Sequence, residues 1–298
     1  MDNKKYTLGI DIGGTSIKFG IVDCSGHMVC QDAMDTKSDI LTPTQILDNM
    51  CEMIHSICKN VSIETTQLDG IGVGCPGLID ANGVVLYNNN MHWENVPIKQ
   101  HLESKIGTTV CVANDADAAA LGEQVFGSGK DYSDIVFLTV GTGIGGGVVK
   151  DGKLWAGAEL GHHILIQGGQ LCTCGLNGCF ESYCSAIVFI NWVSEKLGKK
   201  VTLMHIWQNY SDPQIKPLVD EYVSIFATAT INLINIFNPQ VVVVGGGISH
   251  TGNLFLDLLQ QRVQGKYYGA NYKKPVEFKY ASLQNGAGIY GAVALTRQ

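Results

Sequence analysis

Between Glu159 and Ser182 the sequence reads ELGHHILIQGGQLCTCGLNGCFES, a stretch with two histidines, three cysteines, five glycines and two glutamates. The spacing His162-x9-Cys172-x-Cys174-x4-Cys179 offers three thiolates and an imidazole, a full tetrahedral set for zinc. A set closed by four protein ligands leaves no open coordination position, so the expected ion is structural. His163 competes with His162 for the fourth place, and a disulfide with one spare thiol is the alternative to a metal. An imidazole that binds through one nitrogen keeps a proton on the other and can donate it to a ligand.

Three glycine turns end apolar strands. In DIGGTSIK (Asp11 to Lys18), backbone N–H groups of Gly13 and Gly14 and the Thr15 hydroxyl can hold phosphate oxygens. Asp11 can hold magnesium through water there and Lys18 can offset charge; a plain hairpin turn fits the same letters. GTGIGGG spells G-x-G-x-x-G through Gly141, Gly143 and Gly146. A dinucleotide fold requires a helix directly afterwards, and GVVKDGKLW reads as strand, so a strand–turn–strand phosphate loop around Gly141, Thr142 and Gly143 fits better. VVVVGGGIS, ending in Gly245, Gly246 and Gly247, leaves room for a flat ring or a ribose, or for tight strand-to-helix packing. No G-x-x-x-x-G-K-[ST] occurs, which excludes a P-loop nucleotidase.

VANDADAAALGE places Asn114 and Asp115 where a strand gives way to a helix. Capping needs only one of them. A carboxylate at a helix N-terminus is favoured in its charged form, so Asp115 suits a general base acting on an alcohol during phosphoryl transfer.

The elements that must carry these residues alternate. Strands are expected at Tyr6–Ile12, Ser16–Val22 and His27–Asp32, a helix over Thr44–Lys59, and a buried strand in LDGIGVGCPG. GVVLYN reads as a short strand, PIKQHLESKIG as a helix closed by Gly107, and TTVCVAND as a strand that runs into the helix ADAAALGEQVFG. DIVFLTVGTGIGGGVVKDGKLW then repeats the opening strand–glycine turn–strand, which points to duplicated halves. Helices near Glu181–Leu197 and over Leu218–Phe237, the strand QVVVVGGGIS, a helix from Leu254, the strand VEFKYA and a helix near Gly288–Thr296 complete an α/β pattern. We place the boundary inside or just after the helix that begins near Asp115. Residues 1–118 with the C-terminal helix 287–298 form a smaller N-terminal domain, and 119–286 a larger one carrying the zinc loop.

The chain has 298 residues, enough for two cores, with 45% hydrophobic and 16% charged residues. A net charge of -7 with scattered Lys and Arg argues against nucleic acid as a partner. The apolar run IVFLTVGTGIGGGVV is too short and glycine-rich to span a bilayer, and the N-terminus enters a strand at once, so a cytoplasmic protein without membrane contact is expected. Cys24, Cys30, Cys51, Cys58, Cys75, Cys111 and Cys184 stand singly in apolar surroundings and are expected to be buried thiols.

DIGGT, CPG, ANDADAAALGE, GTGIGGG, ELGH with CTCGLNGC, and GGGIS, in this order, resemble the ROK family of sugar kinases and repressors. The resemblance implies a two-domain actin-like ATPase (ribonuclease H-like) fold with an inter-domain active-site cleft. It implies ATP with Mg2+ at Asp11, Gly13, Gly14, Thr15, Lys18, Gly141, Thr142 and Gly143, and adenosine near Gly245–Gly247. It assigns Asp115 as catalytic base, Gly77, Asn90, Asn114, Glu159, His162 and Glu181 as sugar contacts, and His162, Cys172, Cys174 and Cys179 as ligands of structural Zn2+. Ionised glutamates accept hydrogen bonds from the hydroxyls that ring a sugar, although surface salt bridges are their plainer use. The expected reaction is phosphorylation of the 6-hydroxyl of an aldohexose, glucose foremost, by a homodimer. N-acetylmannosamine, allose or fructose are the alternative substrates, and a non-catalytic zinc-containing sugar sensor is the alternative function. The repressor branch carries a DNA-binding segment ahead of the first glycine motif; here that motif begins at Asp11, which argues for the kinase branch. Asp117 stands where many relatives have Asn, and Leu176 where Arg or Asn is common.

Overall fold

The computed structural model describes residues 6–88 and 91–298. Two compact units divide them. The first runs to Phe126 and includes Leu154–Gly157 and Asn285–Gln298; the second is Gly127–Lys153 with Ala158–Gln284.

In the first unit, β1 (Tyr6–Ile12), β2 (Ser16–Asp23) and β3 (Met28–Asp35) form an antiparallel meander, and β1 also pairs in parallel with β4 (Leu68–Cys75). Seven of the eight β4 residues are buried, the continuous apolar run expected of a central parallel strand. Helix α1 (Pro43–Asn60) starts on a reciprocal capping box between Thr42 and Gln45 and buries Ile46, Leu47, Met50, Ile54 and Ile57 along one face. A small sheet of β5 (Leu78–Ile79), β6 (Val85–Asn88) and β7 (Trp93–Val96) comes next. It leads into α2 (Ile98–Ile106), which Gly107 closes in the left-handed region at φ 76°. β8 (Val110–Asn114) completes the sheet order β3-β2-β1-β4-β8 and passes directly into α3 (Asp115–Val125).

The second unit repeats this plan. β9 (Ile135–Val140) and β10 (Ile144–Lys150) form a hairpin, followed in the chain by β11 (Lys153–Trp155). β12 (Val241–Gly245) lies parallel to β9, and β13 (Glu277–Tyr280) parallel to β12. The sheet order β11-β10-β9-β12-β13 matches the first one strand for strand, which is the duplication anticipated from the repeated glycine hairpins. Helices α4 (Glu181–Cys184), α5 (Ala186–Leu197), α6 (Leu203–Gln208), α7 (Lys216–Phe237) and α8 (Leu254–Val263) surround an aromatic core. Phe180, Phe189, Trp207, Tyr222, Phe226 and Phe255 are its large buried rings, and the Tyr222 hydroxyl donates to the Cys184 carbonyl at 3.0 Å.

The last helix, α9 (Ala287–Leu295), belongs to the first unit and packs on β1, β4 and α3. The approach is so close that a Cβ on Gly9 or Gly72 would strike the Ile289 or Ala292 carbonyl, and one on Gly122 would come within 2.8 Å of Gly291 backbone. The division falls at Phe126, just after the helix that begins at Asp115, so the whole of α3 stays in the first unit, where it packs on α9.

The continuous helix expected over Glu181–Leu197 is broken. Ser185 is extended at φ -63° and ψ 151°, and its hydroxyl caps α5 through the Val188 N–H. The six residues of α6 and the two to four residues of β5 and β7 were not foreseen, being too short to show a period. Cys24 is exposed, and Cys30 and Cys111 are half-buried, so only part of the isolated cysteine set is core. No helix among the described residues is long and apolar enough to cross a membrane.

Candidate active site

In the first unit the parallel strands β1, β4 and β8 end side by side. Asp11 pairs with Gly74, and Cys75 with Asn114, so the Asp11 glycine turn and the start of α3 occupy one sheet edge. Ligands of open parallel sheets bind at this carboxyl-end edge. Burial above all, and then the Asp115 and Asp11 carboxylates, pushes the Cys75 thiol far up, which records both acids near one buried atom.

Asn114 is the residue that caps α3. Its Oδ1 accepts from the N–H groups of Ala116 at 2.8 Å and Asp117 at 3.4 Å, while its Nδ2 donates to the Gly77 carbonyl at 3.0 Å. Gly77 has φ 109°, and a Cβ there would run into the Tyr87 carbonyl. With the cap supplied by its neighbour, Asp115 occupies the first helical position with an exposed side chain, one oxygen accepting the Ala116 N–H at 3.0 Å. The dipole of α3 stabilises negative charge at that point. Asp117 faces inward, 3% exposed, and accepts the Gly157 N–H at 2.8 Å. The second carboxylate thus anchors a loop.

The first glycine turn joins β1 to β2. Gly13 donates to the Ser16 carbonyl at 3.0 Å, Thr36 ties down the carbonyls of Gly13 and Thr15, and Gly14 and Thr15 stay exposed. Neither Gly13 nor Gly14 has positive φ; a Cβ on Gly13 would press on Ser16, and one on Gly14 would meet nothing. Glycine here keeps the backbone uncovered, which is the property a phosphate needs. Lys18 lies 3.6 Å from the Asp11 carboxylate, and that carboxylate rests against Gly288 in the first turn of α9. Gly288 was missed in the sequence, where its only signal is the run of small residues GAGIYGA.

In the second unit the other two glycine turns meet at the ends of β9 and β12. Gly245 pairs with Thr139, and Gly246, at φ 79°, lies so close to Val140 that any Cβ would strike its carbonyl. Tight packing explains Gly246, while Gly247 is exposed. Gly141 donates to the Gly143 carbonyl at 2.9 Å and accepts from the Ala186 N–H at 2.9 Å, so the first residue of α5 is tied to this turn.

The cysteine loop lies in the same unit. The ligand atoms of His162, Cys172, Cys174 and Cys179 all lie within 4.8 Å of one another. His162 Nδ1 is 3.6 Å from Cys172 Sγ, and Cys174 and Cys179 sulfurs are also 3.6 Å apart. Tetrahedral bonds of about 2.3 Å to sulfur require ligand separations of about 3.8 Å, so the donors fit zinc. All four residues can hold it; a disulfide is not formed. Burial pushes the Cys179 thiol up to about 12 and raises Cys172, whereas the Leu176 backbone N–H lowers Cys174. His163 turns away from the set and gives its Nδ1 to the Leu160 carbonyl at 2.7 Å, which resolves the rivalry in favour of His162.

Glu159, exposed, precedes His162 by one short turn. Glu181 is different from a surface carboxylate. Its Oε2 accepts the Ile144 N–H at 2.9 Å, and its Oε1 accepts from Thr173 Oγ1 at 2.8 Å and Cys172 Sγ at 3.5 Å. Thr173 had no signal in the sequence. Asn90 lies outside the described residues.

The sequence pattern of the ROK family matches residues 7–298. The chain belongs to the ROK family. As a ROK protein it has the two-domain actin-like ATPase fold. It is similar to the glucokinase of Thermotoga maritima, 32% identical over 99% of this chain and 98% of that one. The crystal structure of a ROK family glucokinase from Streptomyces griseus in complex with glucose and AMPPNP superposes with TM-score 0.77 at 30% identity, covering 98% of this chain and 99% of that chain. The ROK match extends to the xylose repressor of Caldicellulosiruptor bescii, 27% identical over 97% of this chain and 77% of that protein.

Proposed function

We propose that this protein is an ATP-dependent sugar kinase that phosphorylates the 6-hydroxyl of an aldohexose, with glucose as the preferred substrate. The observation that carries the reading is the division of labour at the start of α3. Asn114 makes the cap and leaves the Asp115 carboxylate exposed at the sheet edge that also carries Asp11 and the first glycine turn. In this reading Asp115 accepts the proton of O6 as that oxygen bonds to the γ-phosphorus; the bond to the bridging oxygen breaks and ADP leaves. Backbone N–H groups at Gly13–Thr15 and Gly141–Gly143 bind phosphate oxygens, and Asp11 with Lys18 governs the charge beside the first turn. A magnesium ion held near Asp11 would supply neutralisation of the triphosphate.

Sugar hydroxyls are assigned to Glu159, to His162 and Glu181 in the cysteine loop, and to Asn114 with Gly77. Zinc held by His162, Cys172, Cys174 and Cys179 would fix that loop. The relative that binds glucose and AMPPNP supports both the donor and the acceptor. The test is ADP release, coupled to an indicator reaction, across glucose, mannose, N-acetylmannosamine, allose and fructose. Turnover greatest with glucose is expected. Sugar binding without ADP release from any hexose would overturn the kinase reading in favour of a sensor.

A further inference from the structure

Glu181 sits where the metal loop and the second glycine turn come together, and it touches both. One oxygen receives the Ile144 N–H, the first amide beyond Gly141–Gly143, at 2.9 Å. The other receives the Thr173 hydroxyl at 2.8 Å and lies 3.5 Å from Cys172 Sγ, so the contact reaches a zinc-ligating residue and its neighbour. Gly143 has no side chain for a steric reason: a Cβ there would overlap Glu181 Oε2. One carboxylate oxygen therefore rests against the turn. From the other side Ala186, five residues further along the same chain segment, donates to the Gly141 carbonyl at 2.9 Å. Both ends of the turn are held by the segment that leaves Cys179, and only one of these ties runs through the cysteine loop.

We infer that Glu181 is a positioning residue that couples metal loading of the cysteine loop to the shape of the Gly141–Gly143 turn, and through it to the binding of a nucleotide's phosphates. The inference rests on the kinase reading, because it takes the turn to be a phosphate loop. It gives Glu181 a task additional to any contact with sugar. Four metal ligands fix Cys172 and Cys174 on either side of Thr173. The Thr173 hydroxyl then has a defined position, and a carboxylate bonded on both oxygens cannot swing away from Ile144. With the loop unpinned, Glu181 loses one of its two anchors and the turn loses a constraint. A hydrogen bond at a solvent-exposed hydroxyl contributes a modest net amount, so its loss reads as roughly a threefold to tenfold change in affinity when the ordering it supplies must be regained on binding.

The experiment is calorimetric titration of the full chain, without sugar, by AMPPNP and separately by adenosine. Thr173→Val keeps the shape of the side chain and deletes the hydroxyl; Thr173→Ser restores it. The expected result is AMPPNP binding weakened about threefold to tenfold in Thr173→Val. Adenosine binding is unchanged, and Thr173→Ser behaves as the wild type. Removing zinc from the wild type weakens AMPPNP in the same sense, and the same treatment of Glu181→Ala adds nothing further. AMPPNP affinity unmoved by either Thr173→Val or zinc removal overturns the inference and leaves the kinase reading standing. Failure of the wild type to bind AMPPNP at all overturns both. A purely sugar-binding Glu181 predicts a weakened glucose Kd in Glu181→Ala with AMPPNP unaffected, and that result also overturns the inference.

Discussion

Replacing Asn114 separates two tasks that one side chain performs. Alanine removes the acceptor for the Ala116 and Asp117 N–H groups and the donor to the Gly77 carbonyl. Loss of the cap costs about 1 kcal/mol. Loss of the Gly77 tether costs about another 1 kcal/mol, since the carbonyl is only partly buried and regains water. The expected destabilisation of Asn114→Ala is thus about 2 kcal/mol, or about a 30-fold shift in the unfolding equilibrium of the first unit. Aspartate keeps the oxygen that accepts both cap hydrogen bonds and gains from the helix dipole, yet it presents an oxygen where the Gly77 carbonyl needs an N–H. Asn114→Asp should therefore lose only about half as much. Urea denaturation gives the totals, and hydrogen exchange apportions them. The amides of residues 116 and 117 lose protection in the alanine variant and keep it in the aspartate variant, while amides around residue 77 speed up in both. Equal destabilisation by the two substitutions, or an alanine variant as stable as the wild type, would refute this division.

Asp115→Asn should leave hexose affinity within about threefold of wild type and lower kcat by about 10²- to 10⁴-fold, the usual contribution of a positioned base; turnover near wild type removes Asp115 from the role. Gly72→Ala drives a methyl into the Ala292 carbonyl and should cost at least about 1–3 kcal/mol by overpacking, read as a lower denaturation midpoint. No loss of stability would mean that α9 is not seated on β4 as described. Zinc affinity should fall as pH falls, because the Cys172 and Cys179 thiols, held above their ordinary range, must give up protons before they ligate. Competition with a chelator between pH 6 and 8 measures this, and a flat profile refutes the thiolate assignment.

Much of this was legible in the residues. The left-handed Gly107 after α2 and the glycine turn that joins β1 to β2 are local signals that the fold leaves intact. The Cys/His cluster was legible because spacing brings the three cysteines together, and the family resemblance chose His162 over His163. Other features depend on contacts distant in the chain. Nothing near Gly72 announces that a helix some 220 residues later will lie on it, and an isolated Thr173 carries no pattern at all. The break at Ser185 was hidden for a related reason, since the Ala186 N–H beside it pairs with the Gly141 carbonyl, far away in the chain. The glycines of the first turn differ from one another: a Cβ on Gly13 would press on the Ser16 carbonyl, whereas one on Gly14 would meet nothing, a distinction the letters do not carry.

The seating of α9 on strands made at the very beginning of the chain has a consequence for biosynthesis. The sheet of the first unit precedes the second unit in the chain, but the helix that covers it is translated only after that unit. At about 5–20 residues per second, the stretch between α3 and α9 holds the nascent sheet open for on the order of ten seconds to half a minute. The second unit, continuous but for Leu154–Gly157, is complete before then. Maturation thus runs opposite to the order of synthesis, and the uncovered faces of Gly9 and Gly72 are what a chaperone would meet on the unfinished polypeptide.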